Sequence, residues 1–195
     1  MAARVGQKAP AFSAKDQTGA TVTQATSVGK YVVLYFYPKD NTPGCTVEAC
    51  AFRDDSAKLK AAGAVVLGVS PDSEKSHQNF IAKFSLPFQL LVDTDNAVST
   101  AYGAWGEKSM YGRSYMGVIR STFLIAPDGT LAHAWPKVKV EGHSDEVLAT
   151  ILALKAGKPA PAAEATPAKA KKAKMAKAAP KKPAAKATKA APKKR

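Results

Sequence analysis

Tyr31-Val-Val-Leu-Tyr-Phe-Tyr37 and Ala64-Val-Val-Leu-Gly-Val-Ser70 are two unbroken apolar runs, each closed by a proline, Pro38 and Pro71. Runs of this length without polar alternation read as strands buried on both faces. Between them, Cys45 to Ala62 has few breakers and stops at Gly63, the pattern of a helix with a C-terminal glycine. Strand, long connection and strand make a βαβ unit with parallel strands, and that unit sets an α/β class.

The flanks extend this unit. Ser73 is placed to cap a helix that runs to about Phe84 and stops before Pro87. Gln89 to Val92 reads as a short strand and Val98 to Tyr102 as a helical turn, with Asp93 and Asp95 as helix caps rather than metal ligands. Residues 103–117 carry repeated glycine and serine and read as a long loop, in which Trp105, Tyr111 and Tyr115 pack rather than line a substrate approach. Ser121 to Ile125 and Leu131 to Trp135 flank Ala126-Pro-Asp-Gly129, a turn signal, and are expected to form an antiparallel hairpin. Ser144 is expected to cap a final helix ending at Lys155, with Val147, Leu148, Ile151, Leu152 and Leu154 apolar. The sum is an α/β chain with a mixed central sheet flanked by helices, as in a thioredoxin-like fold, and no internal repeat.

The chain has 195 residues, and its charge is divided unevenly. Residues 1–157 hold 16 basic and 14 acidic residues, whereas residues 158–195 hold 13 basic and 1 acidic. The sequence therefore predicts a nearly neutral domain over 1–157 and a cationic tail over 158–195. Ala, Lys and Pro supply 33 of the 38 tail residues, with Met175 the one larger apolar side chain. Such a segment cannot offset its ordering entropy and is expected to be disordered. Its lysines suit non-specific binding to the phosphates of DNA or another polyanion. A purely solubilising extension is the plainer reading, and an acidic membrane surface fits less well because no apolar anchor accompanies the lysines. No run of about 18 apolar residues exists, and the first residues lack the apolar stretch of a secretory signal, so a cytoplasmic, nucleoid-associated location without membrane insertion is expected.

The chemistry-bearing residues concentrate in Pro38-Lys-Asp-Asn-Thr42-Pro-Gly44-Cys45-Thr-Val-Glu48-Ala-Cys50, which holds both cysteines of the chain. Two cysteines so close together do not make the framework of a disulfide-stapled secreted domain. Cys45 follows a strand and a loop and opens a helix, where free amides and the helix dipole stabilise a thiolate. Thiols at such positions titrate at roughly 3.5–7.5. Thr42, three residues earlier, can hydrogen-bond the sulfur or an incoming oxygen, and Pro38 can shield the sulfur from water. Two inert, buried cysteines are the plain alternative. A zinc site would need about four ligands, and His77, His133 and His143 show no paired spacing, so no metal is expected. His77 itself reads as solvated on a polar helix face.

Pro38, Thr42 and Cys45 together, as Pro-x-x-x-Thr-x-x-Cys, resemble the peroxiredoxin active-site motif. Residues 42–54, Thr-Pro-Gly-Cys-Thr-x-Glu-Ala-Cys-x-Phe-Arg-Asp, resemble the peroxiredoxin Q (bacterioferritin comigratory protein) branch. So do Tyr102-Gly-Ala-Trp-Gly-Glu-Lys108, Tyr111-Gly-Arg-Ser-Tyr-Met-Gly117 and Ile119-Arg-Ser-Thr-Phe-Leu-Ile125, across about residues 4–156. Ala126 departs from the branch, which often has Asp before the hairpin turn. The tail is similar in composition to linker-histone and bacterial histone-like tails, and is no part of the peroxiredoxin pattern.

The resemblance implies a thioredoxin fold and a thiol peroxidase acting on hydrogen peroxide and organic hydroperoxides, with no cofactor. It implies Cys45 as the peroxidatic cysteine and Cys50 as the resolving cysteine. Thr42 and Arg120 would orient sulfur and peroxide, while Pro38, Gly44 and Glu48 would line the pocket. Thioredoxin or a glutaredoxin would reduce the disulfide, and a monomer is expected. A competing class is a nucleic-acid-associated redox sensor or architectural protein, in which the folded part is a platform. If both cysteines lie in one helix, their Cα atoms are about 8.7 Å apart, whereas a disulfide needs less than about 7 Å. The helix must then be continuous in the reduced form and open after oxidation.

Overall fold

The computed structural model describes residues 3–110 and 113–158. The expectations for Tyr111 and for residues 159–195 lie outside the described residues. These residues form one seven-stranded sheet and one two-stranded ribbon. The apolar runs become β3 (Tyr31–Phe36) and β4 (Ala64–Ser70), parallel neighbours at the centre of the sheet. β5 (Gln89–Val92) extends the sheet in parallel beyond β4. β8 (Ser121–Ile125) pairs antiparallel with β3, and β9 (Leu131–Trp135) with β8. Two further strands, β1 (Ser13–Asp16) and β2 (Thr21–Thr23), close the far edge beside β5. They escape sequence reading because they are short and mostly polar, held by the turn in which the Thr18 amide and hydroxyl donate to the Asp16 carboxylate.

Strand alternation divides the core in two. Val33, Tyr35 and Tyr37 point to one face, where they meet Phe52, Leu59, Phe80, Val147 and Ile151. Val32, Leu34 and Phe36 point to the other, against Phe12, Val98, Tyr102, Phe123 and Leu131. The first face is covered by α1 (Pro43–Asp54), α2 (Ser56–Ala61), α3 (Glu74–Phe84) and α5 (His143–Lys155). α4 (Ala97–Tyr102) covers the second. This is the mixed, two-sided α/β sheet of a thioredoxin-like fold. Ser73 caps α3 by accepting from the Ser76 amide, and the Asp93 carboxylate takes the Val98 and Ser99 amides at the start of α4. None of the helices described is long and apolar enough to cross a membrane.

Four sequence expectations are corrected. The helix read over 45–62 begins two residues earlier, at Pro43, and is interrupted at Asp55, whose carboxylate bonds Lys58 and Ser144. Ser144 therefore does not cap α5; its hydroxyl donates to Asp55, and the helix starts at His143 behind Gly142. The loop read over 103–117 is the ribbon of β6 (Trp105–Met110) and β7 (Arg113–Val118). Gly106 is there a clearance and not a breaker: a Cβ on it would sit 2.9 Å from the Ile119 side chain. Finally, His77 is fully buried, not solvated. Phe80, Ile81 and Phe84 follow it at i+3, i+4 and i+7, which places His77 on the apolar stripe of α3.

Candidate active site

β3 ends at Phe36, and the chain turns over Asn41, whose φ is 57°, before Thr42 opens α1 with extended geometry. Proline at the first helical position costs no hydrogen bond there, because that amide would be unpaired. Cys45 is the third residue of α1, within the turn whose amides lack helical partners and at the positive end of the helix dipole. The flanking glycine and prolines do not expose it. Its accessible surface is 1% of maximal, so exposure does not distinguish it from an inert core thiol.

Arg120 makes the distinction. β8 pairs with β3 so that Ser121 faces Phe36, which places Arg120 where the β3–α1 loop opens. Seventy-five residues of chain separation close to a hydrogen bond: Arg120 Nη2 donates to Cys45 Sγ at 3.1 Å. Arg120 Nη1 donates to Glu48 Oε2. Glu48 lies three residues beyond Cys45 and so shares its helix face. A side chain on Gly44 would bring its Cβ to 3.4 Å from Arg120 Nη2, so the glycine leaves the guanidinium its approach. The site thus joins Cys45, Gly44, Glu48 and Arg120. Thr42 is adjacent, but its hydroxyl donates to the Lys39 carbonyl at 3.0 Å rather than to the sulfur. Pro38 is half-buried just past the end of β3. Cys50 is half-buried on the same continuous helix as Cys45, and both are free thiols.

The charges are coupled. Burial opposes the charge on Arg120, but Glu48 and the Cys45 sulfur outweigh it and hold the guanidinium charged. Burial pushes the Glu48 carboxyl up to about 7 against the pull of Arg120, and its Oε1 is buried without a partner. A carboxyl raised in the fold stabilises it fully below its ordinary value near 4.5, and that contribution fades as pH rises through about 7. Glu48→Gln is therefore expected to flatten the pH dependence of stability in that window. The difference from wild type, on the order of 2–3 kcal/mol, is measurable by denaturant unfolding at pH 4.5 and 7.5.

Two residues of consequence were missed in the sequence. Asp40, in the loop before Cys45, is buried and bonded to His77, which was assigned to solvent. The signal was available for His77 in the stripe on α3, but nothing local to Asp40 reveals its partner. His133 and His143, unpaired in sequence, both lie edge-on to Trp135, with ring centroids at 4.3 and 5.4 Å. Among the described residues, no three His, Cys, Asp or Glu side chains converge as a metal site would require.

Comparison with known proteins places this geometry in context. The AhpC/TSA family profile matches residues 5–134. The chain is 51% identical over 148 residues to a putative peroxiredoxin bcp of Coxiella burnetii, covering 76% of this chain and 98% of that one. It is 49% identical over 151 residues to peroxiredoxin Bcp of Bacillus subtilis, covering 77% and 96%. Among solved structures, peroxiredoxin Q of Xanthomonas campestris superposes with a TM-score of 0.70 at 46% identity, over 73% of this chain and 90% of that one. A second Xanthomonas campestris structure is the bacterioferritin comigratory protein, in a trapped intermediate/ligand complex bearing on its alkyl peroxide reduction. It gives a TM-score of 0.73 at 42% identity, over 77% and 99%.

Proposed function

We propose, on the premise that this chain belongs to the AhpC/TSA family and within it to the Bcp/peroxiredoxin Q peroxidases, that Cys45 is its peroxidatic residue. The observation that carries the reading is the 3.1 Å hydrogen bond from Arg120 Nη2 to Cys45 Sγ, the only such contact to a cysteine among the described residues. The Cys45 thiolate attacks one oxygen of hydrogen peroxide or an organic hydroperoxide. The O–O bond breaks, and the other oxygen leaves with a proton as water or alcohol. Arg120 spreads its charge over the thiolate and then over the leaving oxygen. Glu48 holds the guanidinium in place, and Gly44 and Pro38 shape the approach. Thr42 is placed to turn its hydroxyl from Lys39 to an incoming peroxide.

Sulfur, oxidised by two electrons to sulfenic acid, then condenses with the Cys50 thiol, forming a disulfide and releasing water. A dithiol partner, thioredoxin or a glutaredoxin, returns both cysteines to thiols by exchange. In an intact α1 the two Cα atoms stand about 8.7 Å apart, beyond the reach of a disulfide, so the first turns of α1 open in this step. Phe52, fully buried against Tyr35 and His143, anchors the far end of the helix. Peroxide consumption by the purified protein with thioredoxin and its reductase tests the reading. Failure to consume peroxide would overturn it.

Cys50→Ser is expected to consume one equivalent of peroxide and then stall at sulfenic acid, or turn over only with an added small thiol. In wild type, hydrogen exchange over residues 45–53 is expected to quicken once the disulfide has formed. Unchanged protection in verified disulfide would show that α1 does not open.

For residues 158–195 we propose non-specific DNA binding, which would hold a monomeric, cytoplasmic peroxidase beside the nucleoid. The 13 basic residues against 1 acidic residue support this reading. About ten phosphate contacts would give a log–log salt slope near −9. A chain ending at Gly157 is expected to keep its peroxidase activity and lose DNA retention; equal retention by both forms would refute the assignment.

A further inference from the structure

His77 and Asp40 form a buried polar cluster that the chemistry above does not use. His77 is 0% exposed on α3, and Asp40, in the loop between β3 and α1, is 5% exposed. His77 Nδ1 lies 2.9 Å from Asp40 Oδ2, and His77 Nε2 lies 3.2 Å from the Leu91 carbonyl oxygen. Both ring nitrogens therefore have buried oxygen partners, and the Tyr37 hydroxyl lies a further 3.5 Å from Nδ1. Asp40 Oδ1 accepts from the Tyr37 hydroxyl at 2.7 Å, and Oδ2 accepts also from the Ser76 hydroxyl at 2.7 Å. The Asp40 amide donates to Asp72 Oδ2 at 2.8 Å, and Asp72 is held in turn by the Ser70 hydroxyl. Burial would raise the Asp40 carboxyl, but the bonds from His77, Ser76 and Tyr37 hold it below its ordinary value.

The cluster ties one loop residue to the end of β3, the end of β4 and the first turn of α3. That residue is five positions before Cys45 and next to Asn41, the positive-φ turn that redirects the chain into α1. Arg120 stands on the opposite side of the chain, at the start of β8. The loop that leads to the sulfur is thus bonded at Asp40, and the guanidinium enters from the β8 side.

We propose that Asp40 and His77 are positioning residues for Cys45: their buried hydrogen-bonded pair fixes the loop that presents the thiol to Arg120. It remains in place as the upstream anchor when the first turns of α1 open. The inference rests on the peroxidase reading given above. A misplacement of about 1 Å in a reacting group costs up to about a hundredfold in rate. Without the pair, the thiol leaves Arg120 more often, so reaction with peroxide slows and access to bulk reagents rises.

His77→Phe takes one partner from the buried Asp40 carboxylate, which destabilises strongly; the double variant Asp40→Asn/His77→Phe removes the carboxylate charge as well and regains much of that loss. Stability and positioning are thereby separated. The double variant, folded by circular dichroism, is expected to react with peroxide about ten- to a hundredfold more slowly than wild type in single-turnover stopped flow. In a Cys50→Ser background, alkylation of its Cys45 by iodoacetamide is expected to quicken at least about tenfold, since a 1% exposed thiol reacts only on opening. Wild-type rates in both measurements would overturn the positioning role. A wild-type protein inert to peroxide would instead refute the peroxidase reading, and the alkylation measurement would still decide whether the pair anchors the loop.

Discussion

Cys45→Ser is expected to reduce peroxide turnover to background while the fold persists. Serine is close to isosteric with cysteine, and Cys45 is a small member of the buried cluster that holds Ala49 and Tyr37, so little packing is lost. The chemistry is lost entirely. A hydroxyl at this position is not ionised by a neighbouring guanidinium, and its oxygen is a poor nucleophile toward a peroxide. Removing the nucleophile of a covalent mechanism costs on the order of 10⁶ in rate in a well-studied hydrolase, and no other residue of this site can replace sulfur. Peroxide consumption with an excess of reductant measures the effect, and circular dichroism checks the fold. Turnover at the wild-type rate would refute the assignment of Cys45.

Arg120→Met is expected to lower the rate of Cys45 with peroxide by about 10²–10³, the usual cost of losing a donor aimed at developing charge. Methionine keeps much of the buried length, so the loss reflects charge and not a cavity. Two consequences follow from the shared guanidinium. The sulfur loses its 3.1 Å donor, and Glu48, already pushed up to about 7 by burial, loses the cation that restrains it, so its carboxyl rises further. Arg120→Lys is expected to fall between the two, because an ammonium is a point charge and cannot serve sulfur and carboxylate with two separately directed groups. Pre-steady-state rates across pH 5–9 separate these variants. A Met variant within a factor of a few of wild type would remove Arg120 from the mechanism.

Much of this was legible in the chain itself, for identifiable reasons. The apolar runs 31–37 and 64–70 are long, undiluted and bounded by prolines, so only central parallel strands accommodate them. The start of α1 was legible because a loop with two prolines and a glycine leads into residues without breakers, which fixes Cys45 near a helix N-terminus. Where reading failed, residues were judged by their own propensity and their real partner was distant. Gly106 and Gly117 signalled a loop, yet they make room for Ile119 and Tyr115 inside a ribbon. Ser144 resembled a helix cap, yet its hydroxyl is bound 89 residues away at Asp55. His77 read as a solvated group, yet it is bonded to Asp40 in the interior.

The sequence by itself determined the class of fold, the place of Cys45 at the head of a helix, and the presence of one more thiol five residues on. Those features depend on local pattern, because apolar runs, breakers and helix termini act over a few residues. No local pattern showed which charge meets the sulfur; the family resemblance named Arg120, and tertiary structure brings it there. The antiparallel pairing of β8 with β3 puts Arg120 beside a cysteine 75 residues earlier, and Glu48 beside both. Tertiary structure also decided that Asp40 would be a buried anion, since burial and partner come from α3 and the end of β4 together. Electrostatic strength in a protein depends on distance and on exclusion of water, and neither is a property of a residue until the strands have paired.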